Sequence, residues 1–221
     1  MRRAVFAFAL PPLVLGACAG KQPVPTLSTP AAVVEAVPAK EWEEVATPAD
    51  QAGIAALAER WASALDAVPG RSAARLRAEG PLAEPGAALE MPTPSPGPYH
   101  CRLIRFGGRA GFATFPPDFC YVEASEGRLS FTKQTGSNLP NGWLHEDTPT
   151  RLIFLGTMGP GRYGDAPERD VAGVVERVSP FRWRLVLTRE GRGASLDVYE
   201  LVPVTPEVPG ARRAVPAKGG R

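Results

Sequence analysis

Beyond residue 99 apolar side chains recur at every second position, and the stretches that carry them are separated by Gly, Pro, Asn or Asp. Trp183, Leu185 and Leu187 alternate with Arg182, Arg184 and Thr188, and Leu129 and Phe131 alternate with Ser130 and Thr132, as half-buried antiparallel strands require. Segments near 99–106, 119–124, 128–134, 151–157, 171–178, 182–189 and 195–202 fit this description. No helical pattern lies between them. The expectation is a mainly β fold: a small antiparallel β-barrel or sandwich of about seven strands, with one N-terminal α-helix packed on it. Sequential hairpins need only neighbour pairing, which favours the barrel.

The helix has a clear beginning. Thr47 can accept from an orphan amide, Pro48 suits the first turn and Asp50 complements the dipole. Ile54, Leu57, Trp61, Leu65 and Val68 then recur at spacings of three and four and form one apolar stripe over about 48–67. Pro69-Gly70 ends it, and a shorter helical piece over about 72–77 follows. Gly80-Pro81, Pro85-Gly86 and the prolines at 92, 94, 96 and 98 then force an irregular crossing before the strands. Gly and Pro together are abundant, at 23 and 25 residues, so much of the chain must be turn and linker.

The N-terminus reads as an export signal. Met1, Arg2 and Arg3 precede an apolar run from Ala4 to Leu15, interrupted by Pro11 and Pro12, which is shorter than the roughly 20 residues of a membrane-spanning helix. Leu15-Gly16-Ala17-Cys18 resembles the lipobox of bacterial lipoproteins. That resemblance implies a signal peptide over 1–17, a lipidated Cys18 as the mature N-terminus, and attachment to the lipid bilayer. Ala19, where inner-membrane retention would use Asp, implies the outer membrane facing the periplasm. Residues 18–40, rich in Ala, Val and Pro, read as a disordered tether reaching roughly 70 Å. Residues 41–203 read as a single β-rich domain, and 204–221, with Arg212, Arg213, Lys218 and Arg221, as a disordered basic tail.

With Cys18 consumed by lipid, Cys101 and Cys120 remain as a pair in a compartment that permits disulfides, so they are expected to be bonded. Lys+Arg 25 against Asp+Glu 23 leaves no broad basic surface, and no nucleic-acid partner is expected. The chain carries no phosphate loop and no Gly-x-Ser-x-Gly elbow. Lys133, Thr135 and Ser137, at the end of a strand, are candidates for holding an anionic group. Arg169, Asp170 and Glu176 are candidates for a polar binding network. His145-Glu146-Asp147 has residue types that bind divalent cations or pass protons, but adjacent residues rarely converge on one ion and only His100 remains as a further imidazole. It reads as a polar turn, and no metal or cofactor is expected.

Several separated motifs occur in an order that resembles the DUF4893 domain, a family of exported proteobacterial proteins. They include Trp42-Glu43-Glu44-Val45, Gly97-Pro98-Tyr99-His100-Cys101-Arg102, Leu129-Ser130-Phe131-Thr132-Lys133-Gln134-Thr135-Gly136-Ser137 and Glu168-Arg169-Asp170-Val171-Ala172-Gly173-Val174-Val175-Glu176-Arg177. The resemblance covers about residues 41–203 and implies an envelope-associated protein, with no activity or catalytic residues attached to it. More loosely, a Gly-x-Tyr-x-Cys strand, a second Cys and short hairpins are similar in architecture to the disulfide-stapled barrels of bacterial metalloprotease inhibitors. The expected function is therefore a lipid-anchored periplasmic binding or scaffolding module, non-catalytic, for an envelope protein or a small ligand. Two alternatives stand beside it: an envelope-directed hydrolase using Asp147, Glu168 or Asp170, and a protease-inhibitor-like barrel. A packed barrel interior would favour protein partners over an enclosed ligand.

Overall fold

The computed structural model describes residues 40–125, 127–188 and 196–205. The expected signal peptide, Cys18, the tether up to residue 39 and the tail beyond residue 205 lie outside the described residues. Four helices come first: α1 (Glu41–Val45), α2 (Pro48–Ala55), α3 (Leu57–Asp66) and α4 (Ala73–Glu79), the last continuing into a 3-10 turn over Gly80–Ala83. The start of α2 is as expected, with Thr47 Oγ1 accepting from the Asp50 amide at 3.2 Å. The single helix expected over 48–67 is in fact two, because the backbone leaves helical geometry at Ala56, at φ −80° and ψ 3°. The break keeps Ile54 of α2 and Leu57, Trp61 and Ala64 of α3 in one buried cluster.

Nine strands follow: β1 (Gly97–Gly107), β2 (Gly111–Thr114), β3 (Asp118–Ser125), β4 (Arg128–Lys133), β5 (Pro140–Thr148), β6 (Arg151–Met158), β7 (Asp170–Ser179), β8 (Arg182–Thr188) and β9 (Leu196–Pro203). Each pairs antiparallel with its neighbour, and β9 pairs back onto β1 from Tyr99↔Pro203 to Phe106↔Leu196, so the sheet closes. The fold is a barrel, not a sandwich. Tyr99 faces Cys120 on one side and Pro203 on the other, while Ile104 faces Thr114 and Val198. β2 and β3 therefore lie end to end along the same edge of β1. Pro116 and Pro117 stand at the break, where a residue without an N–H cannot extend the ladder.

The expectation of about seven strands is corrected to eight barrel staves plus the short β2, and the missed stave is β5. Its Pro140, Asn141 and Gly142 look like turn formers. Gly142 instead faces Gly156 across the β5–β6 pair. A Cβ on Gly142 would lie 2.3 Å from the Leu155 carbonyl oxygen, and one on Gly156 would lie 2.3 Å from that of Asn141. The wall coils so tightly here that no side chain fits, which is the role glycine has at a barrel corner.

Both faces of most staves are covered. Inside, Tyr99, Phe131, Phe154, Trp183, Leu185 and Tyr199 fill the barrel around the Cys101–Cys120 disulfide, whose Cα atoms are 5.8 Å apart. Outside, Ile104, Phe106, Ile153, Val174, Val186 and Val198 pack with Ile54, Trp61 and Leu82 of the helical cover. Within this outer layer runs a row of charges in register across five strands. Arg151 faces Glu176, Glu176 faces Arg184, Arg184 faces Glu200, and Glu200 faces Arg102. Arg102 ends the row with a bidentate contact to Glu79 of α4 at 3.1 and 2.7 Å. Arg184 is fully buried. It donates to Glu176 at 2.7 Å and to the carbonyls of Pro81, Glu84 and Pro85 at 2.8, 2.7 and 3.1 Å, and lies 5.2 Å from the centre of the Trp61 ring.

Replacing Arg184 by Met should therefore leave a half-buried Glu176 carboxylate and several carbonyls without a donor, at a cost of about 3–5 kcal/mol in urea unfolding. Arg184→Lys should recover little of it, since an ammonium lacks the five-donor fork. A loss near zero in the Met variant would show that the row is not a determinant of stability. Reduction of Cys101–Cys120 should cost about 3 kcal/mol in the same titration, read as a lower midpoint in the presence of reductant.

Candidate functional site

The sequence-derived candidates separate into three places. Lys133 is buried, and its ammonium meets Asp118 at 2.6 Å and the carbonyls of Thr135 and Ser137 at 2.6 and 2.9 Å. All three donors of the ammonium are occupied. Thr135 Oγ1 accepts from the Phe119 amide at 2.8 Å. Gly136, at φ +77°, sits where a Cβ would come within 2.4 Å of both Asp118 carboxylate oxygens. Lys133, Thr135 and Ser137 thus fasten the β4–β5 loop to β3. Glu176, farther along β7, belongs to the charge row beneath the helices.

Arg169 and Asp170 face a different environment, a cleft of about 530 Å³ on the outside of the barrel. One wall is the start of α2, with Thr47 and Asp50, backed by Arg60 of α3. The other is the end of β6 and the start of β7, with Met158, Glu168, Arg169 and Asp170. The walls are tied together through Tyr163, whose hydroxyl donates to Asp50 Oδ2 and accepts from the Thr47 amide at 3.0 Å. Thr47 Oγ1 also donates to Asp50 Oδ2, at 2.6 Å. Arg169 Nη1 donates to the Pro160 carbonyl at 2.8 Å, and the Gly164 amide to Asp170 Oδ2 at 3.0 Å.

The other carboxylate oxygen of Asp170, Oδ1, is buried and has no hydrogen-bond partner among the described residues. Burial, and then the nearby charges of Asp50, Glu168 and Asp165, outweigh the Gly164 amide and push the Asp170 carboxyl above the usual carboxylate range. Burial and the hydrogen bond to Asp50 likewise push the Tyr163 hydroxyl up to about 12. Tyr163 and Asp50 were not visible as site residues in the sequence. They lie 113 positions apart, and only the packing of α2 against the barrel brings them together.

The three residues His145, Glu146 and Asp147 do not form a turn; they are consecutive positions of β5. The Asp147 carboxylate is buried and takes ion pairs from Lys40 and Arg151 together with a hydrogen bond from Trp42 Nε1 at 3.1 Å. Burial alone would raise this carboxyl, but the Lys40 and Arg151 contacts and the indole hold it below its ordinary range. Among the described residues no three His, Cys, Asp or Glu side chains are arranged to hold a metal ion.

A family model described as a domain of unknown function, DUF4893, matches residues 42–201. The chain belongs to the DUF4893 family. The DUF4893 match runs from Trp42 in α1 to Leu201 in β9, and so takes in the helical cover, the closed barrel and the cleft. Among solved structures, a redesigned β-barrel aligns with 50% of this chain and 91% of its own, at 14% identity and a TM-score of 0.35. No curated protein matches the chain.

The lowered carboxyl of Asp147 has a measurable consequence. A group whose pKa is lower folded than unfolded stabilises the fold above its unfolded value, near 3.9, and loses that contribution as the pH falls through the folded value. Stability of the wild type should therefore drop below about pH 4 more steeply than that of Asp147→Asn. At neutral pH the variant should be less stable by about 2–4 kcal/mol. Urea midpoints collected across that pH range for both proteins check it, and parallel pH profiles would show that Asp147 is not responsible.

Proposed function

We propose that this DUF4893 protein is exported, anchored to the outer membrane through a lipidated Cys18, and serves there as a non-catalytic binding module. The cleft between α2 and the start of β7 is its ligand site. Export and anchoring rest on the basic start, the short apolar run and the lipobox-like Leu15-Gly16-Ala17-Cys18. A barrel filled by aromatic side chains supports a reading in which recognition takes place on its outer surface. The observation that carries the reading is Asp170, which lines a cleft of about 530 Å³ and whose buried Oδ1 has no hydrogen-bond partner among the described residues. Such a group is costly unless something donates to it, and the volume is that of a small-molecule site. The occupant expected is an envelope component that offers an N–H or O–H to Asp170.

The test is native mass spectrometry of the full-length protein extracted from membranes. A bound small molecule retained by the wild type and reduced at least about tenfold in Asp170→Asn is expected, the magnitude of one charge-assisted hydrogen bond. An unoccupied cleft, or equal occupancy in the variant, would remove this function. Cys18→Ser should release the protein from the membrane fraction and abolish its acyl mass.

One observation favours a second reading, an envelope-directed hydrolase. Asp170, with its raised carboxyl, lies near enough to Asp50 to be raised by its charge, with Tyr163 on Asp50, and carboxylates with differing proton affinities can divide acid and base roles. Asp147 cannot serve in this way while it is held by Lys40 and Arg151. Turnover of an envelope glycan or ester that disappears in Asp170→Asn would replace the binding reading with this one.

A further inference from the structure

The mouth of the barrel opposite the Asp170 cleft is where the described residues both begin and finish. β3, β5, β7 and β9 run towards it, and β1 starts from it. Lys40, the first described residue, is ion-paired to Asp147 near the end of β5. Thr205, the last, follows Val204, whose amide donates to the Pro98 carbonyl at the start of β1 at 2.9 Å. The segment that contains Cys18 and the segment that contains Arg212, Arg213, Lys218 and Arg221 are therefore both joined to the barrel at this one end.

The most exposed large apolar side chains gather at the same end. The proline-rich strap that precedes β1 crosses it: Leu89 bridges to Arg177 near the end of β7, and Met91 donates its amide to the Pro149 carbonyl in the β5–β6 turn at 3.0 Å. Pro92 and Pro94 of this strap are buried, but Met91 is 71% exposed and Leu89 is exposed beside it. Phe181, in the turn between β7 and β8, is 75% exposed. Val202 of β9, one step beyond the Trp183↔Leu201 pair and so beside Arg182, is exposed as well. Single apolar residues at a surface need no explanation, whereas four along one rim mark a contact. Met91 adds a second sign, because it holds a left-handed backbone at φ 58°. A residue with a Cβ adopts that conformation at a cost, and the exposed thioether returns little of it through packing within this chain.

The polar groups of this rim carry both signs. Arg177 donates to the Glu90 carbonyl at 3.0 and 2.5 Å, and Arg128 lies over the Trp143 ring at 4.5 Å. Neither guanidinium, and neither of the exposed carboxylates Glu41 and Glu90, is in an ion pair among the described residues. Apolar tips within a ring of unpaired cations and anions match a layer of zwitterionic headgroups over acyl chains, where aromatic and other apolar side chains lodge at the boundary. A protein partner would have to pack around both chain junctions. A bilayer is where the first of them leads.

We propose that this mouth rests on the surface of a phospholipid bilayer. Phe181 and Met91 enter the boundary between headgroups and acyl chains, Arg128 and Arg177 meet phosphates, and Glu41 and Glu90 meet ammonium groups. The acyl chains on Cys18 hold the chain to the membrane, and the rim orients the barrel upon it. The Asp170 cleft then opens away from the bilayer, at the far end of a wall about 25 Å long, eight residues of β6 at about 3.3 Å each. The proposal rests on the membrane attachment read from Cys18 and is independent of what occupies the cleft.

The protein supplies its own two reporters, since Met91 stands at this mouth and Met158, at the end of β6, lines the cleft at the other. Full-length protein extracted from membranes, labelled with ¹³C at the methionine methyls, is placed in nanodiscs of phosphatidylethanolamine and phosphatidylcholine that contain a lipid with a gadolinium-chelating headgroup. The signals are assigned with Met91→Leu and Met158→Leu. Broadening of Met91 is expected, with the Met158 linewidth unchanged. Phe181→Asp with Leu89→Asp, both at exposed positions, should reduce the docked population about tenfold or more and the Met91 broadening with it, while an unmoved Met158 signal shows that the fold is intact. An unbroadened Met91, equal broadening of the two methyls, no effect of the double substitution, or a Met91 signal that shifts with protein concentration in lipid-free detergent, as a second copy on this face would cause, would each overturn the proposal. The acyl mass of the same sample reports the anchor separately: an acylated protein with an unbroadened Met91 keeps the anchor and removes the docking surface, and an unacylated protein with a broadened Met91 does the reverse.

Discussion

The register-matched row of alternating charges on the outer face is what the helical cover depends on. A closed barrel with a filled interior has no intrinsic need for helices on its outside, and apolar packing alone would let them slide. Arg184 and Arg102 remove that freedom, because a guanidinium directs its donors along fixed lines. Arg184 is aimed at the carbonyls of the turn after α4, and Arg102 at Glu79 at the end of α4. Isolated buried ions of this kind would be unfavourable. Here each has an opposite charge directly across the ladder, so the sheet register itself neutralises them.

That anchoring determines where binding chemistry can sit. The interior is occupied by aromatic rings and a disulfide. The cleft forms where the cover meets the barrel rim, α2 against the start of β7. There Asp170 of the barrel wall faces a layer contributed by residues before β1. The walls are rigid and the layer is attached, a combination that pre-organises a site without enclosing it.

Much of the barrel was legible because period-two alternation records a stave with one face inward. The cap at Thr47 and seven of the eight staves follow from local chemistry, and the pairing of the cysteines from their number and the expected compartment. β5 escaped because Gly142 has the composition of a turn and the function of a corner, a distinction that exists only once Gly156 lies opposite it. The helix break at Ala56 was hidden for a similar reason, since the apolar stripe runs through it without interruption. Of the candidate residues, Lys133 looked available because a lysine at a strand end usually is. The carbonyls that occupy it belong to its own loop, and no spacing rule announces that. Asp50 and Tyr163 were invisible as a pair because their contact spans most of the domain.

The short β2 and the two prolines after it bear on how copies of this protein tolerate one another. A sheet that closes on itself offers neighbours no row of free amides and carbonyls. Among the described residues the stave that carries β2 contributes a four-residue stretch, Gly111–Thr114, beside which another chain could lay a strand. Pro116 and Pro117 follow directly after Phe115, and such residues interrupt templated growth. At high concentration these barrels should therefore remain separate particles, and resistance to fibril formation is an attribute of the topology as much as of the surface charge.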